Sequence, residues 1–167
     1  EQVKAKLIAQ SFDGVLFRDN ALRCQNGTLK VTKNTSEVCQ YYAFSFGIAD
    51  KDDPTYSELK EMVLNVFGPE RREQNIRPDI AFANSLMGNY LRMELLLDWG
   101  RNDQLLVETS QYYYKMAESS GTLWEHDKVA NSLNHGFASY AGVALIGALG
   151  GIKSIDLLKK EVHLDFS

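Results

Sequence analysis

The order of helix types in this chain constrains its fold more than any other sequence feature. Helical periodicity dominates, and successive segments alternate between one apolar face and apolar residues on nearly every side. A helix with one apolar face lies at a protein surface, whereas a helix that is apolar all round is buried. The alternation therefore predicts an all-α fold of about six helices, arranged as three hairpins of one outer and one inner helix.

The helix boundaries follow from local signals. Asp53-Pro54 is typical of a helix start, and Gly68-Pro69 and Gly150-Gly151 are typical of helix ends. The first predicted outer helix ends near Ile8, the second begins at Asp53, and the third spans 102–117. The predicted inner helices span about 35–46, 80–99 and 133–149. The segment 71–79 between two of them is polar and predicted to be a loop.

A few short strands are predicted beside the helices. Asp13-Gly14 and Asn26-Gly27 are strong turn dipeptides, so segments 15–17 and 29–31 are predicted to be short strands of a hairpin-like excursion. At the other end, Val162, Leu164 and Phe166 alternate with polar residues, which is typical of a strand.

Three hairpins are half of an α/α toroid, which contains six. The residues alone leave a second architecture open, a self-contained six-helix bundle or solenoid. No repeat of fixed period is visible in the sequence, which counts against a regular solenoid.

Composition excludes several classes of function. The chain has 167 residues, of which 44% are hydrophobic and 24% charged, as in ordinary globular domains. The net charge of −4 comes without a basic stripe, which argues against a nucleic-acid partner. No apolar run approaches the roughly 20 residues that cross a membrane. Residues 1–9 are polar, so we expect no signal peptide, although this does not fix the compartment.

The two cysteines are expected to be unrelated thiols. Cys24 and Cys39 form no Cys-x-x-Cys pair and have no histidine at a ligand spacing. The set of His126, Asp127 and His135 also matches no recognised zinc pattern. The sequence therefore predicts neither a metal nor a cofactor.

Chemically active side chains concentrate in the loop before the last helix. Residues 121–128 read GTLWEHDK, with an aromatic ring, two carboxylates, a histidine and a lysine, and His135 follows within SLNHG at 132–136. The residues by themselves allow two interpretations. The loop is either a ligand site or a helix N-terminus with a capping side chain and a solvated histidine.

The two motifs GTLWEH (121–126) and SLNHG (132–136) together resemble the signature of bacterial α-L-rhamnosidases. The resemblance covers most of the chain, with weaker matches at 12–17, 35–49, 83–92 and 151–152. It implies an (α/α)6-barrel catalytic domain that removes terminal α-L-rhamnose from glycosides or polysaccharides with inversion. Glu125 would be the general base that activates water, and His135, Trp124 and Asn134 would bind the sugar.

These roles set geometric requirements. An inverting hydrolase holds two carboxyl groups about 6.5–9.5 Å apart, with room for a water molecule. The base must be ionised, so we expect hydrogen-bond donors near Glu125, from His135 or from N–H groups at a helix N-terminus.

The resemblance also has a gap. In that family the general acid lies far upstream of the base, and this chain has no counterpart, since Asp127 is too close in sequence to Glu125. Residues 1–151 are thus expected to be the C-terminal half of the barrel and residues 152–167 the start of a β-sandwich. Such a fragment should be inactive alone and should self-associate through exposed inner helices. The alternatives are another α/α-toroid glycosidase or phosphorylase, or a non-catalytic helical binding module.

Overall fold

The computed structural model describes residues 2–83, 86–126, 128–129 and 132–165. The chain divides into two compact units, Glu1–Ala83 and Asn84–Ser167. About 51% of the chain is helical, so the mostly helical class is confirmed. The described residues contain six α-helices: α1 (Gln2–Ser11), α2 (Glu37–Ser45), α3 (Ser57–Asn65), α4 (Leu86–Asp98), α5 (Asn102–Ser120) and α6 (Tyr140–Gly150). None of these is long and apolar enough to span a bilayer.

The first unit contains one small antiparallel hairpin of strands β1 (Ala21–Arg23) and β2 (Leu29–Val31). The strand expected at 29–31 is confirmed, but the strand expected at 15–17 is wrong. The Asp13 carboxylate accepts hydrogen bonds from the Val15 and Leu16 amides at 3.0 and 2.8 Å and so folds this segment into a turn. The partner of β2 is therefore the next extended segment, β1.

Helices α2 and α3 are started by side-chain caps. The Ser36 hydroxyl accepts the Cys39 amide at 3.2 Å at the N-terminus of α2. Asp53 accepts the Thr55 amide at 2.9 Å and begins a 3-10 turn, Pro54–Tyr56, that leads into α3, as Asp53-Pro54 predicts. The two helices pack together over a core of buried aromatic and aliphatic side chains that includes Phe17, Tyr41, Tyr56, Leu59, Val63 and Phe67.

The helix predicted over 80–99 is α4, which begins later than predicted, at Leu86. Ile80 and Ala81 lie before α4, and Ala81 forms a parallel bridge with Ser36. The Ala81 amide donates to the Thr35 carbonyl at 2.9 Å, and the Glu37 amide donates to the Ala81 carbonyl at 3.0 Å. These backbone hydrogen bonds to the start of α2 replace those that a helix would make.

A buried ion pair organises the segment that the sequence predicts to be only a polar loop. Arg71 and Glu37 are 2% and 1% exposed, and the Arg71 Nε lies 2.5 Å from Glu37 Oε1. The other guanidinium nitrogens donate to the carbonyls of Ile76, Arg77 and Ile80 at 2.7–3.1 Å. The Arg71 side chain therefore holds residues 76–80 in one conformation.

In the second unit, α4, α5 and α6 pack against one another. The buried residues of α5 are Leu105, Thr109, Tyr113 and Met116, which lie on one face as its periodicity predicts. Gly121 ends α5 in the left-handed conformation at φ 72°, and Gly151 ends α6 at φ 63°.

Helix α6 differs from its prediction in extent and in burial. It begins at Tyr140 because residues Gly136–Ser139 form a 3-10 turn, and only one side of it is buried, through Ala141, Ala144 and Gly147. Val143, Ile146 and Leu149 are 59%, 62% and 69% exposed. We call these three side chains the α6 stripe, and none of the described residues covers it.

The chain continues into an antiparallel hairpin of β3 (Ile152–Asp156) and β4 (Glu161–Leu164). The strand expected near Val162 and Leu164 is confirmed, while Phe166 lies outside the described residues. All four residues of β4 are exposed, so its alternation does not mark a buried face. The proposed boundary between a barrel and a β-sandwich at 151–152 stays a prediction.

The cysteines are free thiols, as expected. Burial, together with the nearby negative charge of Asp19, raises the pKa of Cys39 to about 12.

Candidate functional site

Hydrogen bonds between its two arms close the loop that follows α5. The Glu125 amide donates to the Ser132 carbonyl at 3.0 Å, and the His135 amide donates to the Leu123 carbonyl at 2.9 Å. The Thr122 hydroxyl donates to the Leu133 carbonyl. Segments 122–125 and 132–135 therefore run side by side, and the two motifs that the sequence singles out become neighbours.

Trp124 lies beneath this loop. Its side chain is 7% exposed, and its indole N–H donates to the Ser120 hydroxyl at 2.7 Å. Its backbone amide points at the Met116 sulfur at 3.4 Å. Trp124 therefore anchors the loop to α5 and supports its conformation. The indole N–H is already hydrogen-bonded within the protein.

Glu125 follows the buried tryptophan and is partly exposed. Its backbone is fixed by the hydrogen bond to Ser132. Among the described residues, no side chain or amide donates a hydrogen bond to its carboxylate. The donors expected from His135 and from a helix N-terminus are therefore not provided in this conformation, because the His135 amide is used by Leu123.

The remaining predicted site residues lie in the second arm of the loop. His135 is partly buried and occupies the N-cap position of the 3-10 turn, where its carbonyl accepts the Ala138 amide at 2.9 Å. Asn134 is exposed, and its carbonyl accepts the Ser132 hydroxyl at 3.1 Å. His126 is partly buried, and Asp127 lies outside the described residues.

The arrangement is suited to general-base chemistry. A carboxylate on a fixed backbone with solvent access can accept a proton from water, which is the task of a general base. The imidazole on the adjacent arm can donate to or accept from a ligand hydroxyl. Among the residues that the structure describes, no histidine, cysteine and carboxylate side chains group as a metal site.

Two residues that support the site were not identified from the sequence. The hydroxyls of Ser120 and Thr122 lie 2.8 Å apart, and one holds the Trp124 indole while the other holds the opposite arm. The spacing Ser-x-Thr-x-Trp was visible, but hydroxyl residues after a helix are common and their partners are known only from the folded loop.

The comparisons with known proteins identified no relative of this chain. No family model matches it, and neither the curated proteins nor the solved structures contain a significant match.

Proposed function

We propose that this chain is part of an inverting glycoside hydrolase in which Glu125 is the general base. The observation that carries the proposal is the closed loop, which fixes Glu125 with solvent access and sets it beside the arm that bears Asn134 and His135. The proposal also draws on the resemblance of these two motifs to the α-L-rhamnosidase signature. The substrate is accordingly a terminal α-L-rhamnoside, and the six helices are half of an α/α toroid.

The division of labour follows from the chemistry of inversion. Glu125 takes a proton from a water molecule as that water attacks the anomeric carbon, and the leaving oxygen receives a proton from a separate acid. His135 and Asn134 bind sugar hydroxyls, and Trp124 holds the loop in position against α5. The acid lies in sequence outside residues 1–167, so these residues alone are inactive.

The test uses the full-length protein to which residues 1–167 are proposed to belong, called the parent protein here. Its hydrolysis of p-nitrophenyl α-L-rhamnoside is measured beside a panel of other aryl glycosides. Glu125→Gln should lower kcat at least about 100-fold, since general bases contribute roughly 10²–10⁴. Glu118→Gln is the matched control, because Glu118 is an exposed carboxylate on the last turns of α5 and should leave kcat unchanged. Proton NMR of the first product should show the inverted anomer.

Each other outcome points to a different function. Hydrolysis of another glycoside alone, with the same dependence on Glu125, would retain the base and replace the sugar. Full activity of Glu125→Gln would remove Glu125 from the mechanism. No turnover of any glycoside by the parent would favour a non-catalytic helical binding module.

A further inference from the structure

The loop after α5 rests on a continuous series of hydrogen-bonding groups. The indole N–H of Trp124 lies 2.7 Å from the Ser120 hydroxyl, which lies 2.8 Å from the Thr122 hydroxyl. The Thr122 hydroxyl in turn contacts the carbonyl of Leu133, in the second arm of the loop. The series therefore connects the buried tryptophan with the peptide group directly before Asn134. We call the groups from Trp124 to Leu133 the hydroxyl relay.

The chemistry of its two ends fixes the direction of every hydrogen bond in the relay. An indole N–H can only donate, and a carbonyl oxygen can only accept. Ser120 therefore accepts from Trp124, and Thr122 gives its one hydroxyl proton to the Leu133 carbonyl. The Thr122 oxygen is left to accept, so the proton between the two hydroxyls belongs to Ser120. The other acceptor within reach of that proton, the Met116 carbonyl, is more distant, at 3.2 Å.

A relay whose hydrogen bonds all point one way transmits changes along its length. Each hydroxyl that accepts a hydrogen bond becomes a better donor, so aligned hydrogen bonds strengthen one another. The two other hydrogen bonds between the arms come from the backbone amides of Glu125 and His135, and no side chain adjusts them. The position of the second arm therefore depends on the Thr122 hydroxyl, and through it on Ser120.

We propose that Thr122 and Ser120 are positioning residues of this loop. Through the hydroxyl relay they hold the arm that bears Asn134 and His135 against the arm that bears Glu125. The consequence for catalysis rests on the proposed function, whereas the relay itself is a property of the folded loop. Because the second arm carries the groups that bind substrate, loss of the relay weakens binding more than it slows proton transfer at Glu125.

NMR of the ¹⁵N-labelled chain tests the relay from both of its ends. The indole N–H signal of Trp124, assigned with Trp124→Phe, reports on the first hydrogen bond. The amide ¹⁵N signal of Asn134 reports on the last one, because this nitrogen shares a peptide group with the Leu133 carbonyl. Thr122→Val should move the indole proton upfield and shift the Asn134 amide, although Thr122 contacts neither N–H group. The indole signal of Trp99, the other tryptophan, should stay in place and show that the fold is retained.

Three further variants make this test specific. Thr122→Ser keeps the hydroxyl and should return both signals to their wild-type positions. Ser120 is an exposed residue at the end of α5, so Ser120→Ala interrupts the relay with little risk to folding, and it should still shift the Asn134 amide. Ser119→Ala is the control, since Ser119 is the exposed serine beside it and lies outside the relay. The proposal is overturned if Ser120→Ala and Ser119→Ala give the same Asn134 signal, or if Thr122→Ser shifts both signals as Thr122→Val does.

Kinetics of the parent protein test the consequence for substrate binding. Thr122→Val should raise KM for p-nitrophenyl α-L-rhamnoside about fivefold, the size of one net hydrogen bond, and change kcat less than about twofold. Thr122→Ser should restore KM. An unchanged KM in Thr122→Val, or a loss of kcat as large as that of Glu125→Gln, would remove the positioning role. A parent that hydrolyses no rhamnoside would contradict the proposed function instead, and the two NMR signals would still decide whether the relay exists.

Discussion

At the residue scale, the Glu37–Arg71 ion pair combines burial of both side chains with several hydrogen bonds to the surrounding backbone. Both side chains are essentially without solvent contact, and the Arg71 guanidinium also lies 4.2 Å from the centre of the Phe82 ring. Buried charges are tolerated only where every donor and acceptor has a partner. Here Glu37 accepts hydrogen bonds from the Ala83 amide at 2.8 Å and the Gly68 amide at 3.4 Å as well as from Arg71 Nε.

Removing one member of this pair should be costly. Arg71→Met leaves the Glu37 charge buried and unpaired, so we expect the free energy of unfolding to fall by about 3–5 kcal/mol. The double variant Glu37→Gln with Arg71→Met should recover part of that loss, since no charge remains. Urea denaturation measures both.

The exposed pair of the same unit is the control. Arg77→Met breaks a pair whose side chains are 45% and 60% exposed, and it should cost below about 1 kcal/mol. Equal losses for Arg71→Met and Arg77→Met would contradict the view that Arg71 organises the segment.

Cys39 should be an unreactive thiol with a distinctive pH dependence. Its raised pKa, about 12, means that the neutral thiol dominates through neutral pH, and alkylation requires the thiolate. Between pH 7 and 10 the alkylation rate of Cys39 should rise about tenfold per pH unit without a plateau. Peptide mass spectrometry after iodoacetamide treatment measures this rate.

Asp19 tests the cause of that pKa. Its carboxylate contributes to the raised value, so Asp19→Asn should lower the pKa of Cys39 and speed alkylation at a given pH. A plateau below pH 9 in the wild type would show that the pKa of the Cys39 thiol is not raised.

At the scale of elements, glycine acts in opposite ways at two positions of the second unit. Gly121 ends α5 at φ 72°, a conformation that costs other residues about 1–2 kcal/mol. Gly142 lies inside α6 with an ordinary helical backbone and open space where a Cβ would be. The same substitution therefore has opposite consequences.

Gly121→Ala should lower the free energy of unfolding by about 1–2 kcal/mol, and Gly142→Ala should raise it by about 0.5–1 kcal/mol. Thermal or urea unfolding of the two variants gives the comparison directly. Stabilisation by Gly121→Ala would contradict the left-handed end of α5.

At the scale of the whole molecule, the α6 stripe remains exposed. Val143, Ile146 and Leu149 lie on a helix without a single charged residue. Exposed apolar patches of this kind mark association surfaces. We expect the isolated chain to self-associate through this surface, which an inner helix of a half-toroid would leave open.

Sedimentation velocity over a range of concentrations tests this expectation. Ile146→Glu should abolish concentration-dependent association by placing a charge in the stripe. Val107→Glu is the control, because Val107 is an exposed apolar residue of α5 outside the stripe. A wild-type chain that is monomeric at every concentration would contradict the prediction.

Local signals in the sequence were sufficient for most of the elements. Six helices, the cap at Asp53 and the glycine stop at Gly151 follow from periodicity and from backbone preferences, which act within a few residues. The position of Glu125 in a loop before the last helix also follows from that pattern.

The tertiary structure alone decided where distant residues pair. Residues 80–83 have helical periodicity but bond to the start of α2, and the polar residue Arg71 is buried against Glu37, 34 positions away. Likewise, Trp124 turns inward because Ser120 and Met116 receive it. Periodicity describes which side of an element is apolar, whereas pairing depends on which surfaces the folded chain brings together, and that is not a local property of the sequence.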